Sequence, residues 1–257
     1  MTDPLARAVA FEETIRERCI DRREVLPWGV ALFTESLPLV WELNLLRVDR
    51  PDGVTAGDLA AEAERRQGAA RLRHRRVVVP DGAAGKDLAA DFRALGWKVD
   101  RFLYMAHRRS DTRTVSTGLV VEVERADLAP LRTRIAQEDE RTSDPETIRE
   151  LLATGERVAR ATRARHFGVR RDGAVASSAD LYSDGKTAQI EDVATVPERR
   201  GRGYASAVVS RALSEALAAG HDLVFLVADE DDWPKDLYAK LGFEAIGHKY
   251  AFLRPPS

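Results

Sequence analysis

The sequence predicts a mixed α/β sandwich assembled in two halves, each built of strands and helices around a sheet. Three observations carry this. Short apolar runs such as RVVV (76–79) and DLVFLVA (222–228) read as buried strands. Helical stretches between them stop at Gly96, Gly220 and Gly242, as helices do at a residue that tolerates the left-handed conformation. After a polar segment without apolar periodicity, RRSDTRTVSTG (108–118), strand and helix patterns start again. We therefore divide the chain into residues 1–108 and 115–257.

In the first half, residues 1–24 read as a helix. Trp28–Phe33 and Leu37–Val48 read as strands, the second interrupted by polar Glu42 and Asn44. Pro51, Asp52 and Gly53 make a turn. Thr55 then caps a helix, with Asp58 at the capping-box spacing. RVVV ends at Pro80-Asp81-Gly82, residues 86–95 form a helix, and Trp97–His107 is a strand. The second half opens with a strand at 119–126. A helix over Leu128–Glu138 follows, then a second that Pro145 opens and that runs to residue 161. HFGVRR and AVASSADLY form a hairpin about Asp172-Gly173. Ile190–Val196 is a strand, and a helix runs from Gly203 to Ala219. The apolar strand 222–228 follows, then a short helix at Asp236–Leu241. A last strand, Phe243–Leu253, carries Gly247 at an expected bulge.

Composition narrows the function classes. Apolar residues are 44%, enough for a substantial core, and the formal net charge of −2 gives no footprint for nucleic acid. The single Cys19 excludes an intrachain disulfide and a cysteine-based zinc site. The charged N-terminus does not read as a signal peptide, and no apolar run reaches the roughly 18 residues of a membrane span. These features point to a soluble, cytoplasmic protein, monomer or homodimer, without nucleic-acid or membrane partners and without a metal.

One stretch stands apart. VATVPERRGRGYASAVV (193–209) passes from strand to helix through three arginines and two glycines within five residues. The first turn of a helix leaves its N–H groups without partners and carries the positive end of the helix dipole. Gly201 and Gly203 have no Cβ to keep a ligand off the backbone. Arg199, Arg200 and Arg202 add charge. Together they describe an anion site suited to phosphate. A solvated loop with incidental arginines is the competing reading. A Walker loop would need Gly-Lys-Ser/Thr, and a Rossmann fingerprint three glycines in a parallel βαβ unit, and neither is present.

Arg200-x-x-Gly203-x-Ala205 after a strand resembles motif A of the GNAT N-acetyltransferase superfamily, and LYAKLGFEAIG (237–247) resembles its motif B. The resemblance covers about residues 115–255 and implies an acetyl coenzyme A-dependent N-acetyltransferase that moves an acetyl group directly to a primary amine. By resemblance, the strand before motif A is splayed from its neighbour, and Val193, Ala194 and Thr195 offer backbone groups to the pantetheine arm. The phosphates are expected on the N–H groups of Gly201, Arg202, Gly203, Tyr204, Ala205 and Ser206, with Arg200 alongside. Tyr238 matches the motif B tyrosine that often protonates the departing thiolate; the competing reading is an aromatic packed between helix and sheet. Glu191 is a candidate general base through a water, or a structural carboxylate, and strand alternation puts it on one face with Val193 and Thr195 and turns Asp192 away. Asp231 and Pro234 depart from the family pattern in the loop before motif B. An acyl coenzyme A sensor without turnover is the alternative function.

The first half echoes the second. DFRALGW (91–97) aligns with DLYAKLGF (236–243), which places Phe92 where Tyr238 stands, and no Arg-x-x-Gly-x-Gly/Ala follows LLRVD. The fold class implied is a tandem GNAT-like α/β sandwich with a degenerate N-terminal copy that packs against the active half. The acid-rich loop QEDERTSD (137–144), with Asp180 and Tyr182 facing the pocket, would favour a cationic acceptor, either a small molecule or a protein lysine or N-terminus; a solvated loop is the competing reading. His166, His221 and His248 lack metal-ligand spacing.

Overall fold

The computed structural model describes residues 3–108, 115–140 and 142–256; most of the polar segment expected to part the halves lies outside them. The first half runs α1 (Pro4–Cys19), β1 (Arg22–Leu26), β2 (Gly29–Phe33), β3 (Leu45–Val48), α2 (Ala56–Ala69), β4 (Arg75–Val79), α3 (Gly82–Ala94) and β5 (Lys98–His107). The second runs β6 (Val120–Glu122), α4 (Ala129–Ala136), α5 (Pro145–Thr162), β7 (Arg165–Arg171), β8 (Ala174–Asp184), β9 (Thr187–Thr195), α6 (Tyr204–Ala218), β10 (Leu223–Asp229), α7 (Pro234–Lys240) and β11 (Phe243–Arg254).

Three expected elements are corrected. The helix expected over 1–24 ends at Cys19, and Arg22–Leu26 turns back as a strand against β2. The strand expected over 37–48 is broken by Asn44. Its side chain accepts from the Thr34 N–H at 2.7 Å and donates to the Leu37 and Val40 carbonyls, folding the segment into a 3₁₀ turn at Trp41–Leu43. The strand expected over 119–126 stops at Glu122, and a 3₁₀ turn follows at Arg125–Leu128.

All eleven described strands join one sheet in the order β1-β2-β3-β4-β11-β5-β10-β9-β8-β7-β6. The order contains an exchange. β5, the last strand of the first half, pairs antiparallel with β10 of the second. β11, the last strand of the second half, pairs antiparallel with β4 of the first. The two exchanged strands pair with each other at the centre. Each half thus completes the other's sheet. Alternation along β5 sends Leu103 and Met105 into a core with α6 and α7, and Tyr104 and Ala106 into a core with α1 and α5. Along β4, Val77 and Val79 pack with α2 and α3. The expected bulge in β11 is present between Ala245 and Gly247, where a Cβ would meet the Leu5 side chain of α1 at 2.4 Å. Among the described residues no helix is long and apolar enough to cross a membrane.

Candidate active site

The site starts from an irregularity in β9. Its register with β8 runs Ser177↔Thr195, Ser178↔Ala194 and then Asp180↔Glu191, so β9 carries one residue more than its partner. Asp192 absorbs it in the left-handed region at φ 51°. This is a β-bulge, and it bends the strand that bears it. On its other side β9 runs parallel to β10 only from Thr187 to Gln189. Beyond that point β10 keeps its pairing with β5 while β9 leaves, which opens a cleft between the two strands. Val193, Ala194 and Thr195 lie on the departing stretch. Val193 and Ala194 line a cavity there, while the Thr195 carbonyl accepts from Arg200 Nε at 3.2 Å. The bulge also overturns the expected alternation: Asp192 does not turn away, and Glu191, Asp192, Val193 and Ala194 all line the same cavity.

The strand then passes through a 3₁₀ turn, Pro197–Arg199, into α6. Gly201 and Gly203 both hold positive φ, at 73° and 76°, and Gly203 is the N-cap of α6 with no side chain capping it. A Cβ built on either meets no atom within 4 Å, so backbone conformation, not crowding, requires the glycines. Among the described residues no acceptor receives a hydrogen bond from the N–H groups of Gly201, Arg202, Gly203, Tyr204, Ala205 or Ser206. Two of the three arginines at this turn are already paired. Arg199 pairs with Asp172 and Arg200 with Glu138, and Arg202 alone of the three has no ion pair among the described residues. Arg171, which the sequence did not single out, donates from Nε to the Tyr204 hydroxyl at 2.9 Å and lies over its ring.

On the α1, α4 and α5 side of the sheet the cavity has a volume of about 690 Å³. Glu191 lines it, with the Gln189 amide donating to its carboxylate at 2.9 Å. Burial, then the nearby Asp192 and Glu12 carboxylates, push its pKa up to about 8. Arg132 reaches from α4 to Asp180 at 2.6 Å and to Asp192. Asp180, expected to face the pocket, is instead buried behind Arg132 and His166, whose Nδ1 lies 2.8 Å from it. Tyr182 lines the cavity as expected. Tyr238 lies on the opposite side of the sheet, buried in the core under α6 and edge-on to Phe243. Burial, then the charges of Glu191 and Asp232, push its hydroxyl pKa up, so it stays protonated at neutral pH. Glu191 and Tyr238 thus sit on either side of the sheet where β9 and β10 part, near enough to feel one another. In the loop before α7, Asp231 and Glu230 are tied to Arg101 of β5, and Pro234 occupies the first turn of α7, where its missing N–H costs nothing.

The first half brings groups that have no local signal in the chain. Glu12 and Arg16 of α1, together with Glu42 and Arg76, line the same cavity. Lys249 on the exchanged β11 donates to both Glu12 oxygens at 2.7 and 2.8 Å, across 237 residues of chain.

Comparison with known proteins agrees with this layout. The model of the acetyltransferase (GNAT) family matches residues 126–243. A functionally unknown conserved protein from Staphylococcus epidermidis superposes with a TM-score of 0.69 at 15% identity, covering 93% of this chain and 95% of its own. A GCN5-related N-acetyltransferase from Kribbella flavida gives 0.68 at 20% identity, covering 100% and 98%. A tandem GNAT protein from the clavulanic acid biosynthesis pathway gives 0.55 at 19% identity, covering 90% and 79%. No curated protein compared with the chain matches it. Residues 126–243 thus match the GNAT acetyltransferase family model, and the whole chain has the mixed α/β fold of GNAT proteins, a tandem one among them.

Proposed function

We propose that the protein is an acetyl coenzyme A-dependent N-acetyltransferase acting on a primary amine by direct transfer. The observation that carries this is the run of six open amide N–H groups, from Gly201 to Ser206, at the end of a strand that has parted from its neighbour. Such amides at the positive end of a helix suit a pyrophosphate. The residues fit the cosubstrate: backbone groups of Val193, Ala194 and Thr195 would hold the pantetheine arm, and the 201–206 amides with Arg202 the phosphates. Bound there, acetyl coenzyme A supplies an activated acetyl group as a thioester.

The chain's own groups then supply the proton steps. Glu191, pushed up to about 8, can take a proton through a water from the acceptor ammonium, or from the amine nitrogen once it has bonded to the acetyl carbonyl carbon. Tyr238 is held protonated and can give its proton to a thiolate on the far side of the cleft. The two groups are separated by burial and charge into a base and an acid, and that division is what acyl transfer to an amine requires. We place the protein in the cytoplasm. The test is a scan of primary amines for release of coenzyme A, followed with a thiol reagent, beside calorimetry of acetyl coenzyme A binding. Binding with amine-dependent thiol release is the expected result. Binding without release for any amine would make the protein a sensor, and no binding would remove the proposal.

A further inference from the structure

We infer, resting on the acetyltransferase reading above, that the acceptor is a small monoamine with an apolar, uncharged body. The acid-rich loop at 137–144 favours a cationic acceptor, and the structure engages two of its four acids elsewhere. Glu138 is engaged by Arg200, and Asp144 caps α5 through the Thr147 N–H at 2.8 Å. Within the cavity the ionic groups from the first half are matched. Glu12 receives Lys249 and the Tyr104 hydroxyl; burial opposes its ionisation, but Lys249 and Arg16 outweigh that and hold its carboxyl below the usual range. Glu42 is paired with Arg76, and Arg16 with Glu13. Asp229, at the exposed end of β10, accepts from the Asp231 N–H.

One pole remains. Glu191 has no cation in ion-pair contact among the described residues, only the Gln189 amide. Beside it, one guanidinium, Arg132, serves two carboxylates, Asp180 and Asp192; Asp180 also has the His166 ring, so the carboxylate left short of positive charge is Asp192, which lines the cavity. This corner suits one ammonium group. The remainder of the wall is largely apolar: Ile15, Leu43, Ile135, Ile148, Leu151 and Leu152. A second ammonium, or a carboxylate, entering there would lose its water and find its counter-charges already taken, which is costly in a site of low dielectric. The cavity volume of about 690 Å³ is that of a site for a whole small molecule.

Matched pairs of acceptors test this on the wild-type protein. Hexylamine and 1,6-diaminohexane differ by a second ammonium; 2-phenylethylamine and phenylalanine differ by a carboxylate. We expect kcat/KM for the uncharged-body member to exceed its partner by about 30- to 100-fold in each pair. A ratio under about tenfold in either pair overturns the inference. So does failure of both monoamines to bind when titrated calorimetrically into the protein with coenzyme A. If the charged members are preferred and coenzyme A is still released, acetyl transfer stands and only this inference falls; if acetyl coenzyme A itself does not bind, both fall. Glu12→Gln ties the preference to this cavity, since it leaves Lys249 as a spare cation. In that variant, checked for folding by circular dichroism, the ratio of 2-phenylethylamine over phenylalanine should drop at least about tenfold. An unchanged ratio in the folded, active variant would overturn the inference as well.

Discussion

The two halves use one unit twice and finish it differently. β3, α2 and β4 repeat the parallel arrangement of β9, α6 and β10. At the start of α2 the backbone is closed by its own side chains. Thr55 Oγ1 accepts from the Asp58 N–H at 3.2 Å, and the Asp58 carboxylate accepts from the Thr55 N–H at 3.1 Å. At the start of α6 the N-cap is Gly203, without a capping side chain, and six successive amides have no acceptor among the described residues. A helix N-terminus is therefore not in itself an anion site. The first half places a carboxylate where the second leaves amides, and the same dipole that would draw a phosphate is spent on Asp58. The second helix of each unit differs too. Phe92 of α3 is fully buried and stacks on Phe252 at 4.0 Å, whereas α7 carries Tyr238 at the matching position.

That second difference can be erased. Tyr238→Phe makes the second half resemble the first and keeps the ring's packing. If the hydroxyl is the acid, kcat falls about 10²–10⁴-fold while acetyl coenzyme A affinity stays within a few-fold. An unchanged kcat, with chemistry limiting, would leave Tyr238 as a packing residue. A smaller effect is expected at Glu191. With Glu191 as base, kcat/KM rises with pH and levels off above about 8, and Glu191→Gln loses that limb. Stability carries the same signature. The folded pKa lies above the ordinary carboxyl range, so the native state holds the proton more tightly than the unfolded chain. Wild-type stability then declines as pH rises from that range to about 8, and the decline is missing in Glu191→Gln. Melting temperatures of the two proteins across this window check it.

Local features were the ones legible in the sequence. The capping box at Thr55 and Asp58, the glycine turn before α6, the hairpin at Asp172-Gly173 and the bulge at Gly247 are each decided within a few residues. What decides the cavity is not local. The exchange of β5 and β11 is a choice between partners far apart in the chain, and both strands have the same apolar character whichever half they join. The pairing of Glu12 with Lys249 follows from that exchange and has no local signal. The bulge at Asp192 is set by the register with β8, so alternation along β9 alone misplaced Asp192. Arg22–Leu26 escaped because its neighbours are charged and only the hairpin with β2 gives it a reason to extend. The exchange also means that residues 1–108 lack a strand of their own sheet, so tests of the first half belong in the full chain.

The smallest effect expected is on the closed end. Thr55→Ala removes the cap of α2 and should cost about 1 kcal/mol of stability, read by denaturant titration. Acetyl coenzyme A affinity should not change. A parallel loss of affinity would place the ligand at the wrong helix.

The contrast between the two helix starts is tested most directly by making the open one like the closed one. Ser206 stands three residues after the N-cap of α6, as Asp58 does after that of α2. Ser206→Asp sets a carboxylate against the open amides and leaves the glycines untouched. Titration calorimetry of acetyl coenzyme A into the wild type and Ser206→Asp should show affinity falling at least about 100-fold, with a melting temperature equal to or above that of the wild type. Equal affinity in the two proteins would contradict the assignment of the 201–206 turn as the pyrophosphate site.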